Sequence, residues 1–357
     1  MLTGNANSYI SVVTTQADGK ILVGGSFTIY NGASVTNITR LNPDGTLDPG
    51  FLASTAGYGQ VAAIHVRADG KIFIGGSGFI YLLNTDGSRD MSFNPGIGFD
   101  GLILALVVQP DGKVVAGGRF RFYQNTYLAS HIIRLNTDAS IDAGFVTGSG
   151  FNGDVYSIAQ QDDGKLLVGG LFANFNGTST FVRLNSGGSL DGSFNPSGAG
   201  TITNVRTIVP QPDGKWLLGG DFPAYNGVTR NYMARINADG TLDNAFDPVG
   251  NFNAPIASIV LQPDGKILVG GNFYNYNGLT RSNVARLNTD GSLDPGFAVN
   301  AGSGGPVSSI RLQPDGKLKL GGLFTYCNQR VKKRPANAYG YAWYARKTTN
   351  GPATERQ

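Results

Sequence analysis

The chain has 357 residues, 53 of them Gly, and of its 24 acidic residues only Glu355 is glutamate. Aspartate competes with the backbone for hydrogen bonds and favours turns, so this composition excludes a substantially helical fold and reads as strands joined by tight turns. The formal charge of +4 is local: residues 318–357 carry eight basic side chains against Glu355, a net of +7, which leaves −3 elsewhere and excludes the broad basic stripe of a nucleic-acid binder.

The N-terminal MLTGNANSYI has no basic region followed by an apolar one, so no secretory leader is read there. The longest apolar run, residues 102–108, is too short to span a bilayer, and no membrane insertion is expected. The lone Cys327 cannot form an internal disulfide.

From there the chain repeats itself. Asp-Gly-Lys recurs with its Asp at 18, 69, 111, 163, 213, 264 and 315, and each copy leads into an apolar run ending in Gly-Gly, such as ILVGG at 21–25 and WLLGG at 216–220. A second signature follows each run: RLNPDGTLDPGF at 40–51, LLNTDGSRDMSF at 82–93, RLNTDASIDAGF at 134–145, RLNSGGSLDGSF at 183–194, RINADGTLDNAF at 235–246 and RLNTDGSLDPGF at 286–297. A degraded seventh copy, ARKTTNGPATERQ, occupies 345–357.

Both signatures are hairpins. In Gln-Pro-Asp-Gly-Lys, proline pre-sets φ and glycine takes the left-handed position, which makes the three-residue loop of a type I turn with a bulge. Counting outward from the second turn sets Arg40 opposite Asp48, and likewise Arg134 with Asp142, Arg183 with Asp191, Arg235 with Asp243 and Arg286 with Asp294. Two copies depart: Leu82 faces Asp90, and Arg346 faces Thr354.

Two hairpins per unit predict four strands; in the sixth unit these are 256–262, 266–273, 283–288 and 292–297. The expected fold is all-β, a seven-bladed β-propeller with four antiparallel strands per blade and about 51 residues per repeat. It forms one domain over 1–357, with blades near 1–52, 53–95, 96–146, 147–196, 197–248, 249–299 and 300–357. A closed ring is preferred to a solenoid, which would need distinct end caps.

Units of the form LQPDGKILVGGNF followed by VARLNTDGSLDPGF resemble the bacterial and phage delta-60 repeat family of β-propeller modules, over nearly the whole chain. That resemblance implies a propeller found in surface, secreted or phage-associated proteins. It supplies no catalytic residues.

Gly265-Lys266 before Gly270-Gly271 looks like a fragment of a phosphate loop, but a strand follows Lys266 and the pattern recurs in every unit, so it reads as structural. Asn288, Asp290 and Asp294 have too few ligands for a calcium loop. His65 and His131, both placed inside strands, have no nucleophile motif beside them. Asp100, Asp154, Asp162, Asp221 and Asp247 fall outside the repeat pattern and keep a carboxylate site open on the long-loop face.

Two candidate binding features remain. One is a rim on the long-loop end, where an aromatic meets an amide: Tyr30-Asn31, Tyr123, Phe175-Asn176, Tyr225-Asn226 and Tyr276-Asn277. The competing reading has Asn-Gly making the turn and the aromatic packing beneath it. The other is the irregular C-terminal stretch with Arg330, Lys332, Lys333 and Arg334, then Tyr339, Tyr341 and Trp343 at strand spacing, suited to docking an acidic partner or fixing the protein to a larger assembly, against a competing reading as a solvated loop and a variant closing blade.

The sequence therefore reads as a β-propeller binding or structural module, not an enzyme, with no cofactor or metal. The expected setting is a virion or extracellular-surface assembly contacting a protein partner or a glycan, without nucleic acid. Met1 with no leader after it favours the virion; an intracellular scaffold shares these features. The alternative is a carbohydrate-active or metal-dependent enzyme with its site on the long-loop face.

Overall fold

The computed structural model describes residues 4–53, 59–128, 131–173, 175, 181–194, 204–246, 252–297, 304–313, 316, 318–324, 326–327, 330–331 and 341–345. Every repeat begins with an inner strand: Ile10–Thr15, Val61–Val66, Ile103–Val108, Asp154–Gln160, Val205–Pro210, Ile256–Leu261 and Val307–Leu312. Each pairs antiparallel with the strand that carries Gly-Gly, from Ile21–Gly25 to Leu318–Gly322. That strand pairs in turn with a third, from Ile38–Leu41 to Tyr341–Ala345. Each inner strand packs against the next one along the chain, and Val307–Leu312 packs against Ile10–Thr15, so the sheets close into a β-propeller.

Closure is reinforced by pairing across the ends of the chain. Gly4–Asn5 adds to the last repeat's sheet, with Gly4 opposite Ala342 and Asn5 opposite Tyr341. These two residues therefore leave the first blade, whose expected bounds were 1–52. Nearby, the Val13 N–H donates to Ser309 Oγ at 3.2 Å, tying the inner strands of the first and last repeats together.

The glycine strands are buried from their first apolar residue through Gly-Gly, as in Ile267–Gly271. A Cβ on Gly270 would lie 2.7 Å from Ile310 of the next repeat, and one on Gly271 would lie 2.3 Å from the Pro255 carbonyl oxygen. The first glycine thus admits the neighbouring sheet, and the second admits the backbone of its own inner strand. The Gly-Gly pair thus serves two separate close approaches.

The hairpin turns follow the predicted register. The Asp48 N–H donates to the Arg40 carbonyl at 2.9 Å, and Leu41 bridges Leu47. Arg40 Nε sits 2.6 Å from Asp48 Oδ2, and Lys20, from the Asp-Gly-Lys turn, reaches the same oxygen at 3.0 Å. Lys266 likewise meets Asp294 at 2.8 Å, beside Arg286 at 2.7 Å. Among the described residues, the lysine of each such turn is thus committed to the second hairpin's aspartate, which agrees with the structural reading of Gly265-Lys266.

The arginines also couple neighbouring sheets. Arg183 Nη1 donates to the Ala238 carbonyl of the following repeat at 2.6 Å while its guanidinium lies 4.8 Å from the Phe194 ring centre. Where Leu82 replaces the arginine, Asp90 is held by Lys71 at 2.6 Å. Burial alone would raise the Asp48 carboxyl, but Lys20, the Gly50 amide and Arg40 outweigh it and hold it at about 2. Asp90 is held at about 2 chiefly by its hydrogen bonds from Lys71 and Ser92.

The outermost strand is shorter than the pattern suggested. After the Leu41–Leu47 bridge, Asp48 Oδ1 accepts the Gly50 N–H at 3.0 Å and the Asp48 carbonyl accepts the Phe51 N–H at 3.2 Å. The aspartate side chain thus turns the backbone before a ladder can extend. The same single bridge stands at Leu287 and Leu293.

Candidate functional site

The rim hairpins form as two-residue ladders, such as Asn275–Tyr276 with Leu279–Thr280. Their turns place Asn31, Asn226 and Asn277 at φ near +50°, each followed by a left-handed glycine, the type I′ geometry that Asn-Gly favours. The aromatics, however, do not face solvent. Tyr30, Tyr123, Phe175, Tyr225 and Tyr276 are all buried, none more than 2% exposed.

Tyr276 Oη donates to the Gly291 carbonyl at 2.6 Å and Tyr123 Oη to the Ala139 carbonyl at 2.6 Å, so these rings clamp their rim hairpins to the second turn of the same repeat. An isolated bridge pairs Phe252 with Tyr276, and another pairs Phe151 with Phe175. The expected aromatic rim is corrected: its rings belong to the core, where the Tyr123 and Tyr276 hydroxyls meet backbone carbonyls of the second turn. Asn31 and Asn277 stay exposed and Asn226 is half-buried, while Asn176 lies outside the described residues.

Of the C-terminal candidates, Arg330 stands in a two-residue strand, opposite Cys327. Tyr341 and Trp343 stand in Tyr341–Ala345, opposite Gly322 and Leu320. Lys332, Lys333, Arg334 and Tyr339 lie outside the described residues.

A different site emerges at the ring axis. Each inner strand carries a bulge near its start: Ile10 pairs with Gly25 and Val12 with Gly24, which leaves Ser11 unpaired. The equivalent residues are Ala62, Leu104, Tyr156, Arg206, Ala257 and Ser308. A bulge re-aims the side chain it frees. All seven line one cavity of about 500 Å³ at the long-loop end, to which every inner strand contributes.

The second glycine makes this possible by letting the backbone cross closely. The carbonyl just before each bulge then accepts the amide that follows Gly-Gly, as from Arg119 N–H to Leu102 O at 2.7 Å and Asn272 N–H to Pro255 O at 3.0 Å. Those bonds bring Arg119 and Asn272 into the same mouth.

Sequence reasoning missed this site. Its signal was nevertheless present, because Ser, Ala, Leu, Tyr, Arg, Ala and Ser occupy one repeat position that always follows Ile or Val.

The mouth is polar, and each of its two arginines faces an aspartate. Arg119 Nε pairs with Asp154 Oδ2 at 2.8 Å and its Nη2 donates to Tyr156 Oη at 3.1 Å. Tyr156 first, and Asp154 with it, raise the Arg119 guanidinium above its ordinary range. Tyr156 Oη in turn donates to Asp154 Oδ2 at 3.2 Å. Arg206 Nη2 lies 3.9 Å from Asp221, with both side chains well exposed. On the other wall, Gln60 Nε2 donates to Ser11 Oγ at 2.8 Å, and the hydroxyls of Tyr9 and Ser308 are 2.6 Å apart.

The remaining candidates have structural positions. Asp100 Oδ1 accepts the amides of Arg121 and Phe122, both at 2.8 Å, the place Asn253 fills for Tyr274 and Asn275. Asp247 lies outside the described residues, and Asp162 lines a second cavity of about 820 Å³ at the turn end, with His65 and Arg67. Burial and then Arg67 lower the pKa of His65. His131 stands just before its strand at φ +50°, not inside it, and burial and then Arg121 lower its pKa. Among the described residues no three His, Cys, Asp or Glu side chains are grouped to hold a metal ion.

The repeats match the family described as "Domain of unknown function (DUF5122) beta-propeller" over residues 16–51, 67–93, 109–145, 161–194, 211–246 and 262–297. No curated protein matches the chain. Among solved structures, the extracellular domain of the putative one component system BT4673 from B. thetaiotaomicron superposes with a TM-score of 0.58 at 15% identity, covering 96% of this chain and 39% of that one. This chain thus spans about two fifths of that neighbour's length. The WD40 beta propeller domain of Doa1 gives 0.56 at 13% identity, with 95% of each chain covered.

Virginiamycin B lyase from Staphylococcus aureus also gives 0.56 at 13% identity, covering 95% of this chain and 97% of that one. At these identities the likeness shows the propeller fold alone. The lyase corrects one expectation: a propeller of this shape can be an enzyme, so the architecture gives no ground for excluding catalysis.

Proposed function

This chain belongs to the DUF5122 β-propeller family, and we propose that it is a recognition module whose ligand enters the axial mouth at the long-loop end. One observation carries the reading. A single backbone position, presented to the same cavity by every inner strand, holds side chains as different as Ala62, Tyr156 and Arg206. Positions that serve the fold repeat because each repeat packs alike. A position that varies on a constant backbone is free of that constraint and available to a ligand.

The finer architecture is a ring of seven blades with four strands each, the outermost cut short by its Asp turn. The module is presented on a surface, in a virion or cell-surface assembly, where it contacts protein or glycan. A propeller of this shape forms part of an extracellular domain in one structural neighbour, so the fold is one that serves outside the cell. The basic stretch from Arg330 to Arg334 serves to dock it on the assembly.

The test compares the parent with Ala257→Phe, which fills the mouth, on a glycan array and in pull-downs. Any captured ligand is also followed for turnover. Loss of a ligand in Ala257→Phe with unchanged melting supports the mouth; full retention of every ligand excludes it. A variant neutralised at Arg330, Lys332, Lys333 and Arg334 should keep the ligand and lose the assembly partner.

A further inference from the structure

We infer that the axial mouth takes an acidic saccharide, with its carboxylate on Arg206 and its hydroxyls on the opposite wall. This rests on the mouth being the binding site and adds the chemistry of what it binds. The cavity lining holds two cations, Arg119 and Arg206, and no carboxylate. They are not equivalent.

Arg119 is fixed and neutralised: Asp154 takes its Nε at 2.8 Å, and Tyr156 accepts from its Nη2 at 3.1 Å while donating to the same Asp154. Arg206 is a bulged residue aimed into the mouth, and its ion pair with Asp221 stretches to 3.9 Å between two side chains more than 40% exposed. An exposed pair at that separation is worth little, so a carboxylate arriving at Arg206 displaces almost nothing. The guanidinium fork suits a planar carboxylate through two parallel hydrogen bonds.

The far wall supplies the second half of the recognition. Ser11 with Gln60, and Tyr9 with Ser308, form two hydrogen-bonded pairs at 2.8 and 2.6 Å, each bridging neighbouring repeats. Hydroxyls and amides donate and accept, which is what a polyol requires and a bare anion does not. The volume of about 500 Å³ falls in the range of small-molecule sites. A peptide carboxylate would satisfy Arg206 but leave these pairs unused.

The probe is galacturonate, with neutral galactose and an N-acetylated dipeptide acid as comparisons, titrated calorimetrically into the full chain. The expected result is binding of galacturonate at least tenfold tighter than galactose. Arg206→Gln should lose that tenfold preference while melting at the parent temperature, and Gln60→Ala should weaken galacturonate without changing its preference over galactose. Equal binding of the two sugars, no binding of galacturonate, preference for the dipeptide acid, or an unchanged preference in Arg206→Gln would each overturn the inference. A ligand that survives Arg206→Gln but is lost in Ala257→Phe would sink the acidic saccharide and leave the mouth standing. One that survives both would remove the mouth as well.

Discussion

Replacing Gly271 by alanine should be among the most damaging single-methyl additions in this protein. Its new Cβ would lie 2.3 Å from the Pro255 carbonyl oxygen and 3.0 Å from the Ile256 Cα, and both are backbone atoms that cannot rotate away. Relief requires the inner strand to retreat by roughly 1 Å, which strains the Asn272 N–H to Pro255 O bond of 3.0 Å. Overpacking costs about 1–3 kcal/mol and a lost hydrogen bond about 1 more, so ~3 kcal/mol is expected.

Gly278→Ala is the matched control. Nothing lies within 4 Å of its Cβ, but its φ of +77° charges an L-residue about 1 kcal/mol. With an unfolding entropy near 2.1 cal/mol/K per residue, cooperative unfolding of all 357 residues converts these to losses of ~4 °C and ~1 °C. Calorimetric melts of both variants check the ranking. A Gly271→Ala melt within 1 °C of the parent, or one no worse than Gly278→Ala, would refute the account of the glycine pair.

Other outcomes follow from the same contacts. Tyr276→Phe should cost about 1–2 kcal/mol in urea unfolding, because it strands the buried Gly291 carbonyl, and should leave ligand binding untouched. Arg235→Leu should cost about 2 kcal/mol, less than a fully broken buried pair, because Lys215 still holds Asp243 at 2.8 Å; the natural Leu82 repeat sets that expectation, and a double-mutant cycle with Asp243→Asn measures it. Acid should act through Asp48, Asp90 and Asp142, whose folded pKa of about 2 lies below the ordinary unfolded value near 4. Their stabilisation is present above about pH 4 and is lost as the pH falls toward about 2, so melting temperatures should drop across that window. Stability unchanged from pH 5 to pH 2 would contradict the pairing.

The scaffold was legible in the sequence because each of its devices is local. Asp44 and Gly45 name a turn, and the turn sets Arg40 against Asp48 by counting. The coupling of Arg183 to Ala238 was not legible, since it joins residues 55 apart through a ring that only the folded chain defines. The rim failed for another reason: a Tyr before Asn-Gly has the same sequence whether its ring faces water or the core, and only the carbonyl beneath Tyr276 decides. The mouth stayed hidden because the bulge at Ser11 or Arg206 is defined by pairing with the glycine strand, which the inner strand's own residues do not show.

The clasp of Gly4–Asn5 on Tyr341–Ala345 has a consequence for synthesis. Gly4 and Asn5 are synthesised long before Tyr341 and Ala342 and have no partner in that ladder until those follow. Until then the nascent protein is an open arc whose first sheet exposes Ile10 and Val13, the side chains that later cover Gly321. That apolar edge is what a chaperone would hold or a second nascent chain would capture. Translation that stalls before Val307–Leu312 and Tyr341–Ala345 are made should therefore yield aggregated material.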